Sequence, residues 1–301
     1  MQVAMIGLGR MGANMAQRLQ RGGHTVLGYD PSPEARARLV EAGLETAESL
    51  EALVAALDAP RALWMMVPAG EPVEATIAAL QPLLSAGDVL VDGGNSNYLD
   101  SQRRAGALQA LGIGYLDVGT SGGVWGLAEG YSLMVGGDAG AAARLSPLFE
   151  ALAPTPATGW GHVGPSGAGH YAKMIHNGIE YGMMQAYAEG FAILERRQDL
   201  VPDLAGLAEL WRHGSVVRSW LLDLTAGALK DNPALEGIAP WVPDSGEGRW
   251  TVAEAIALDV PAPVITQSLI ERLRSRQDNA YADRLLAAMR AAFGGHGIRP
   301  G

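Results

Sequence analysis

The 301-residue chain contains no cysteine, which excludes disulfides, thiolate-bound zinc, iron–sulfur clusters and cysteine nucleophiles. Lysine is almost as scarce, since 20 of the 22 basic residues are arginine and only Lys173 and Lys230 are lysine. Long apolar runs are also missing, because glycine, proline or a charged residue interrupts each one. The sequence therefore predicts no transmembrane helix.

Positive charge is in deficit, with a formal net charge of −10 at pH 7. Nucleic-acid and membrane partners both favour a basic protein face, so we expect neither. The start MQVAMIGLGR enters an apolar segment without a basic stretch before it, so we predict no targeting signal and a cytoplasmic location. The 48% hydrophobic content is enough to bury a sizeable core.

Short β-rich runs alternate with helical patterns in the first part of the chain. We predict strands at Val3–Ile6, His24–Tyr29, Leu63–Val67, Val89–Val91, Gly114–Val118 and Ser132–Val135. Such alternation predicts βαβ units, a parallel sheet and right-handed crossovers. We therefore predict a doubly wound, Rossmann-like α/β domain over residues 1–165.

The pattern then becomes helical. Gly169 to Arg197 contains no proline and predicts one long helix. Further helical stretches are predicted at 202–228, 250–258 and 262–292. We predict an all-α domain over residues 166–301.

A glycine-rich turn joins the first strand to the first helix. The segment is Gly7-Leu8-Gly9-Arg10-Met11-Gly12, and a G-x-G-x-x-G in this position is typical of dinucleotide-binding proteins. Gly7 permits the tight turn, Gly9 admits a pyrophosphate and Gly12 allows close packing of helix on strand. The pyrophosphate is expected at the helix N-terminus. Val67, the last residue of the predicted strand Leu63–Val67, is assigned with these residues to the cofactor.

The second strand ends at Asp30, 18 residues after Gly12, where an acid is expected to bind the ribose 2′-hydroxyl. A site for NADP would instead place a cation there, and Pro31-Ser32-Pro33 supplies none. The sequence therefore favours NAD as the cofactor, with NADP left open.

The long helix carries Lys173, His176, Asn177 and Glu180, at offsets that place them on one helix face. Such spacing alone also fits a solvated polar stripe. The scarcity of lysine and the glycine-rich approach to the helix favour a functional role. Lysine can lose its proton when desolvated, whereas arginine cannot, and oxidation of an alcohol needs a base.

Two loops follow predicted strands. Asn95 lies in Asp92-Gly93-Gly94-Asn95-Ser96, at the strand end where open α/β sheets bind ligands. Ser121-Gly122-Gly123 offers backbone N–H groups for a carboxylate. Each loop by itself is also consistent with a plain turn.

Together these segments resemble the 6-phosphogluconate dehydrogenase family. The resemblance rests on GLGRMG, DGGNS, TSGG, HYAKMIHNGIEY and the closing FGGH, and covers essentially the whole chain. The length is similar to that of the short form of the family, with one copy of the helical domain core. It implies oxidative decarboxylation of 6-phosphogluconate to ribulose 5-phosphate and CO2, in the pentose phosphate pathway, with NAD as oxidant.

The resemblance also implies residue roles. Lys173 would be the base at the 3-hydroxyl, and Glu180 the acid that protonates C1. The carboxylate and hydroxyls of the sugar acid would be held by Asn95, Ser121, Gly122, Gly123, His176 and Asn177. Tyr181 and Arg272 match phosphate contacts.

The tail residues Arg290 and His296 match a pair that reaches the partner subunit's phosphate site. The resemblance thus implies a homodimer or homotetramer with its active sites at subunit interfaces. One loop departs from the longer members, since Ser245 and Glu247 stand where those members carry lysine and threonine. Arg249 is the nearby cation that would have to compensate.

Two other functions remain open at this stage. Another β-hydroxyacid dehydrogenase, of the 3-hydroxyisobutyrate type, would share the GLGxMG start, the SGG loop and the lysine. A non-catalytic NAD-binding regulator would keep Gly7, Gly9, Gly12 and Asp30 without needing Lys173.

Overall fold

The computed structural model describes residues 1–277 and 281–294. The strands are β1 (Gln2–Ile6), β2 (Thr25–Tyr29), β3 (Glu45–Thr46), β4 (Ala62–Met65), β5 (Val89–Asp92), β6 (Gly114–Ser121), β7 (Ser132–Gly137) and β8 (Trp160–Gly164). The helices of the first half are α1 (Arg10–Arg21), α2 (Pro33–Glu41), α3 (Leu50–Ala55), α4 (Glu71–Leu80), α5 (Tyr98–Gln109), α6 (Gly126–Glu129), α7 (Ala139–Arg144) and α8 (Ser146–Leu152). The remaining helices are α9 (Ala168–Glu195), α10 (Leu204–Trp211), α11 (Trp220–Asp231), α12 (Glu247–Ala257), α13 (Pro263–Arg274) and α14 (Tyr281–Gly294).

The strands form one sheet in the order β3-β2-β1-β4-β5-β6-β7-β8. All neighbours are parallel except β6 and β7, which pair antiparallel, so the predicted parallel sheet is wrong for this one pair. A parallel crossover needs a dozen or more residues. Residues 122–131, which join the two strands, form only a turn and the short α6, so the chain reverses direction.

Two buried clusters lie on the two faces of the sheet. Alternate residues of one strand contribute to different clusters, as Val3 and Met5 do to one and Ala4 and Ile6 to the other. The first cluster includes residues of α1, α2, α7 and α8, and the second includes residues of α3, α4 and α5. Helices on both faces of a mostly parallel sheet define the doubly wound class, so the predicted fold class is confirmed.

Two strands were absent from the sequence prediction. β3 has only two residues, and β8 (WGHVG) contains two glycines and no fully buried side chain. Neither has the buried or alternating apolar pattern by which strands are identified from sequence.

The chain divides into two compact units, Met1–His176 and a second that begins at Asn177. The division falls inside α9, whereas the predicted domain boundary at residue 165 lies between β8 and α9. No helix of the two described ranges is both long and apolar enough to cross a membrane.

The described part of the second unit contains helices joined by loops, and no strand. Its buried cluster consists of Ala208, Leu222, Ala226 and Leu229, against which Tyr187, Phe191 and Trp211 pack. The stretch predicted as helical over 202–228 is two helices, because Gly214 adopts a positive φ of 76° and Ser219 caps α11 by accepting from the Leu222 N–H. The stretch predicted over 262–292 is likewise divided into α13 and α14.

The turn between β1 and α1 sets a steric constraint that can be tested. A Cβ at Gly12 would lie 1.9 Å from the Gly7 carbonyl oxygen, whereas a Cβ at Gly9 would meet no atom within 4 Å. We expect Gly12→Ala to lower the free energy of unfolding by about 2 kcal/mol or more, because backbone must move to admit the methyl group. Gly9→Ala is the matched control and should change it by less than about 0.5 kcal/mol. Urea denaturation measures both, and equal stability of the two variants would contradict the packing described.

Candidate active site

The N-terminus of α1 is open to an anion. Gly9 is its N-cap, without a side-chain hydrogen bond, and the first turn contains no acidic residue. Gly7 has a φ of 92°, and a Cβ there would lie 2.6 Å from the Met66 carbonyl oxygen, so the turn needs glycine. Unsatisfied N–H groups and the helix dipole at such an end favour a phosphate. The turn therefore has the features expected of a pyrophosphate site.

Asp30 holds this turn from the end of β2. Its Oδ2 accepts from the Leu8 N–H at 2.7 Å, and its Oδ1 accepts from the Ser32 N–H at 2.9 Å. The Arg36 side chain reaches the backbone of Asp30, because its Nη1 donates to the Asp30 carbonyl oxygen at 2.7 Å. The sequence predicted the carboxylate but not these contacts. A cation thus lies beside the position expected for the ribose.

The other predicted cofactor residues are placed on the same edge of the sheet. A Cβ on Gly7 would meet Val67 Cγ1 at 3.2 Å, and a Cβ on Gly94 would meet the Val67 carbonyl at 2.9 Å. Met11 packs against the first buried cluster, Leu8 is buried and Arg10 is exposed. Val67 therefore lies between the glycine-rich turn and the loop that carries Asn95.

The loop after β5 is anchored by a fully buried carboxylate. Asp92 Oδ2 accepts from Ser96 Oγ at 2.7 Å and from the Tyr115 hydroxyl at 2.9 Å. Arg104 Nη1 lies 3.3 Å from the same oxygen and extends the network to Glu74, which its Nη2 contacts at 2.9 Å. Burial, followed by the charge of Asp92, raises the pKa of Tyr115 well above its ordinary value, so this hydroxyl acts as a donor.

Asn95 is the exposed residue of this loop. Its two neighbours, Gly94 and Ser96, both donate hydrogen bonds to the buried Asp92 carboxylate. Sequence reasoning missed Arg104 and Tyr115 in this role. The sequence offered only weak signals for them, an arginine in the amphipathic segment of α5 and a tyrosine hydroxyl in the apolar segment of β6.

Within the first unit the structure brings Lys173, His176 and Ser121 together. Lys173 is 6% exposed on α9, and a Cβ on Gly119 of β6 would lie 2.4 Å from the Lys173 Cβ. Ser121 Oγ lies 3.5 Å from His176 Nε2. Gly122 and Gly123 follow with φ values of 144° and 51°, which glycine adopts most readily. The alternative of a solvated polar stripe is therefore wrong for Lys173.

Further along α9, Asn177 and Glu180 belong to the second unit. Asn177 is 8% exposed and its Nδ2 donates to Glu247 Oε2, while Glu180 is half-buried. Glu247, noted in the sequence only as a departure, is 2% exposed and accepts this hydrogen bond from Asn177. Lys173, His176, Asn177 and Glu180 have helical spacing on α9, as predicted.

The two predicted phosphate contacts of the second unit lie side by side. The Arg272 guanidinium stacks 3.5 Å from the centre of the Tyr181 ring, and the Tyr181 hydroxyl lies 3.3 Å from Ser245 Oγ. Arg249, the nearby cation, pairs through its Nε with Asp244 Oδ2 at 2.5 Å. Burial opposes ionisation of Asp244, but the Gly246 N–H and Arg249 hold its pKa below the ordinary value.

The last two predicted residues belong to the C-terminal segment. Arg290 lies on α14 and is exposed. His296 lies outside the described residues. Within residues 1–277 and 281–294 there is no group of three or more histidine, aspartate or glutamate side chains placed to hold a metal ion.

Comparison with known proteins accounts for almost the entire chain. The NAD binding domain of 6-phosphogluconate dehydrogenase matches residues 2–161, and the C-terminal domain of 6-phosphogluconate dehydrogenase matches residues 169–292. An NAD(+)-dependent, decarboxylating 6-phosphogluconate dehydrogenase of Haloferax volcanii is 47% identical over 300 residues, which cover 99% of this chain and 98% of the relative.

Two solved structures are also similar. The 6-phosphogluconate dehydrogenase of Plasmodium falciparum, solved with NADP+ and with 6-phosphogluconate, has a TM-score of 0.86 at 26% identity and is matched over 100% of this chain but 66% of its own. A 3-hydroxyisobutyrate dehydrogenase from Salmonella typhimurium has a TM-score of 0.74 at 26% identity, over 89% of this chain and 91% of its own. With both domains matched and a full-length relative at 47% identity, the chain belongs to the 6-phosphogluconate dehydrogenase family.

Proposed function

We propose that the protein oxidatively decarboxylates 6-phosphogluconate to ribulose 5-phosphate and CO2, with reduction of NAD. The observation that carries this proposal is the buried Lys173, packed against β6 beside His176 and Ser121, seven residues before Glu180 on the same helix. A dehydrogenase needs a base, and a decarboxylation that yields an enediol needs an acid. One helix supplies both groups.

Lys173 is proposed as the base. It takes the proton of the 3-hydroxyl while hydride leaves C3, and it therefore has to be neutral when the substrate binds. Lys173 is 6% exposed, so its side chain is largely removed from solvent. The resulting 3-keto acid loses CO2 when the C1–C2 bond breaks, and the protonated Lys173 donates to the C3 oxygen, where the charge develops.

Glu180 is proposed as the acid that protonates the carbon from which CO2 has left. This carbon is C2 of 6-phosphogluconate and becomes C1 of ribulose 5-phosphate. Asn177 is buried and oriented by Glu247, so we assign it, with His176, to the hydroxyls of the sugar acid. Asn95 and the N–H groups of Ser121, Gly122 and Gly123 are assigned to the substrate carboxylate and neighbouring hydroxyls. These assignments agree with the roles that the family resemblance implies.

The first unit fits a dinucleotide. The N-terminus of α1 has no side-chain cap and there is free space at Gly9, as a pyrophosphate requires. The carboxylate of Asp30 suits the hydroxyls of the ribose. Bound NAD supplies the acceptor for the hydride that leaves C3. The Haloferax relative is named as NAD(+)-dependent, and Asp30 opposes a 2′-phosphate by its charge. NAD is therefore the proposed physiological cofactor.

The phosphate of the substrate is assigned to the second unit. Arg272 offers a forked set of N–H donors, and its stacking on Tyr181 fixes the plane of the guanidinium. The Tyr181 and Ser245 hydroxyls lie beside it. Arg290 and His296 of the partner subunit are proposed to complete this site, as the resemblance implies.

A homo-oligomer is proposed because the second unit exposes many large apolar side chains. Val216 is 99% exposed, and Ile193, Ile256 and Val264 each exceed 65%. A groove of about 380 Å³ between α9 and the α10–α11 connection is lined by Met183, Tyr187, Phe191, Trp211 and Val217. Monomers rarely leave such surfaces in water, so a second copy of the chain is the proposed occupant.

The assay that tests the reaction measures reduced nicotinamide and released CO2 with 6-phosphogluconate, using NAD and NADP in parallel. Turnover with stoichiometric CO2 and a preference for NAD is expected. Turnover of an unphosphorylated 3-hydroxy acid without CO2 would instead indicate the 3-hydroxyisobutyrate type, to which the Salmonella structure is similar. Binding of NAD without any turnover would indicate a regulator.

The cytoplasmic location expected from the sequence stays a prediction.

Lys173→Ala tests the base. We expect kcat to fall about a thousandfold, because general-base catalysis contributes on that order, while the Kd for NAD stays within about threefold. Lys230→Ala is the matched control, since Lys230 is the other lysine of the chain and is exposed on α11. Near-normal turnover of Lys173→Ala would show that another group takes the proton.

Asp30→Ala tests cofactor selection. The change removes the ribose acceptor and the carboxylate that holds the Leu8 N–H, and leaves Arg36 beside the site. We expect NAD to bind about tenfold more weakly and the ratio of NADP to NAD efficiency to rise. Glu41→Ala, at the exposed end of α2, is the control. An unchanged cofactor ratio would place the discrimination elsewhere.

Val216→Asp combined with Ile193→Asp tests the oligomer. Light scattering on the wild type should give at least twice the chain mass of 31.5 kDa, and the double variant should shift toward the monomer. Val40→Asp, at an exposed apolar position of the first unit, should not change the mass. A wild-type monomer at micromolar concentration would refute the proposal.

A further inference from the structure

A fully buried carboxylate in the middle of β6 lies outside the machinery described so far. Asp117 is 0% exposed, and both of its oxygens accept from backbone N–H groups at the start of α9. Oδ1 accepts from the Gly167 N–H at 2.7 Å, and Oδ2 accepts from the His170 N–H at 2.9 Å. A buried charge with this geometry binds the first turn of the helix to the sheet.

Asp117 alone satisfies the two backbone N–H groups that a capping box satisfies with two side chains. In a capping box, the N-cap side chain accepts from the N–H of the third helical residue, and an acid there accepts from the N–H of the N-cap. Gly167 precedes α9 and has no side chain, and position 170 is a histidine, so the helix supplies neither acceptor itself. Asp117 satisfies both donors from another element, and its charge also favours the positive end of the helix dipole.

Successive residues on the same face of β6 contact successive positions of α9. Asp117 binds the first turn, Gly119 lies against the Cβ of Lys173, and Ser121 lies near His176. Residues two apart on a strand point to the same side, so these contacts form one row. All belong to the first unit.

The packing leaves the helix little freedom to move. A Cβ on Gly136 of β7 would lie 2.5 Å from the Gly169 N, and a Cβ on Gly169 would lie 2.2 Å from the Asp117 carbonyl oxygen. Backbone therefore meets backbone at this point. Asp117 adds two hydrogen bonds to this packing, and the buried His170 ring adds another polar contact, with its Nδ1 2.7 Å from Ser101 Oγ of α5.

We propose that Asp117 is a positioning residue for Lys173, an inference that rests on the role of Lys173 as the base. Lys173 lies six residues after Gly167, about 9 Å along the helix axis, and a helix transmits a shift over that distance almost unchanged. A displacement of about 1 Å at a reacting group costs on the order of a hundredfold in rate. The capping carboxylate therefore determines where the amine meets the substrate.

Asp117→Asn is the test, with Asp88→Asn as the matched control. Asp88 is also 0% exposed in the first unit, and it accepts from the Arg61 N–H at 2.6 Å and the Ser85 N–H at 2.9 Å, away from α9. Each substitution replaces an acceptor oxygen with an NH2 group, so the melting temperature should fall in both variants. Rates are expressed per NAD-binding site counted by titration, which removes any effect of unfolded protein.

We expect kcat of Asp117→Asn to fall about tenfold or more, with KM for 6-phosphogluconate and Kd for NAD within about threefold of wild type. Asp88→Asn should keep its kcat within about twofold. Asp117→Ala, which removes both acceptors, should lose more than Asp117→Asn. If Asp117→Ala does not fold, the near-isosteric Asn variant carries the test alone.

Unchanged kcat in Asp117→Asn, or an equal loss in Asp88→Asn, would overturn the inference. That outcome differs from failure of the proposed function, in which the wild type itself would not turn over 6-phosphogluconate. An active wild type with an unaffected Asp117→Asn would refute the positioning role only.

Discussion

Close packing of backbone on backbone, where α9 crosses β6 and β7, is the constraint on which the position of Lys173 and the first turns of α9 depends. Gly119, Gly136 and Gly169 bring the elements so near that a methyl group at any of them would lie within 2.6 Å of a neighbouring atom. A side chain at these positions would require the elements to separate by about 1 Å to reach ordinary contact distance, and Lys173 would move with α9. Glycine is therefore needed here for proximity, and only secondarily for flexibility.

The buried carboxylates of Asp92 and Asp117 and the half-buried carboxylate of Asp30 complement this packing by fixing backbone in the same unit. Asp30 holds the glycine-rich turn through the Leu8 N–H, Asp92 holds the loop that carries Asn95, and Asp117 holds the start of α9. Each lies on or directly after a strand of the mostly parallel sheet. A charge buried in this way is tolerated because N–H groups, hydroxyls or an arginine satisfy its oxygens. These contacts thus hold the glycine-rich turn, the loop of Asn95 and the start of α9, which carry candidate site residues.

Much of the fold and several candidate site residues could be proposed from the sequence because their signals are local. G-x-G-x-x-G after an apolar strand, Asp30 at the end of the next strand, and polar residues at helical spacing on α9 are all visible within a few turns of chain. The antiparallel β7, the strand β8 and the break between α10 and α11 were not predicted. Their causes are a connection too short for a crossover, glycine in a strand, and a left-handed glycine beside a capping serine.

The sequence by itself determined the class of fold, the dinucleotide turn and the candidate base and acid, because periodicity and motif spacing act over short stretches of chain. Only the tertiary structure decided which partners hold those residues in place. Asn177 meets Glu247, Tyr181 meets Arg272 and Asp117 meets Gly167, over separations of 50 or more residues. Such pairings follow from the order of strands and the packing of helices, and no local pattern of residues encodes which buried carboxylate will meet which backbone N–H.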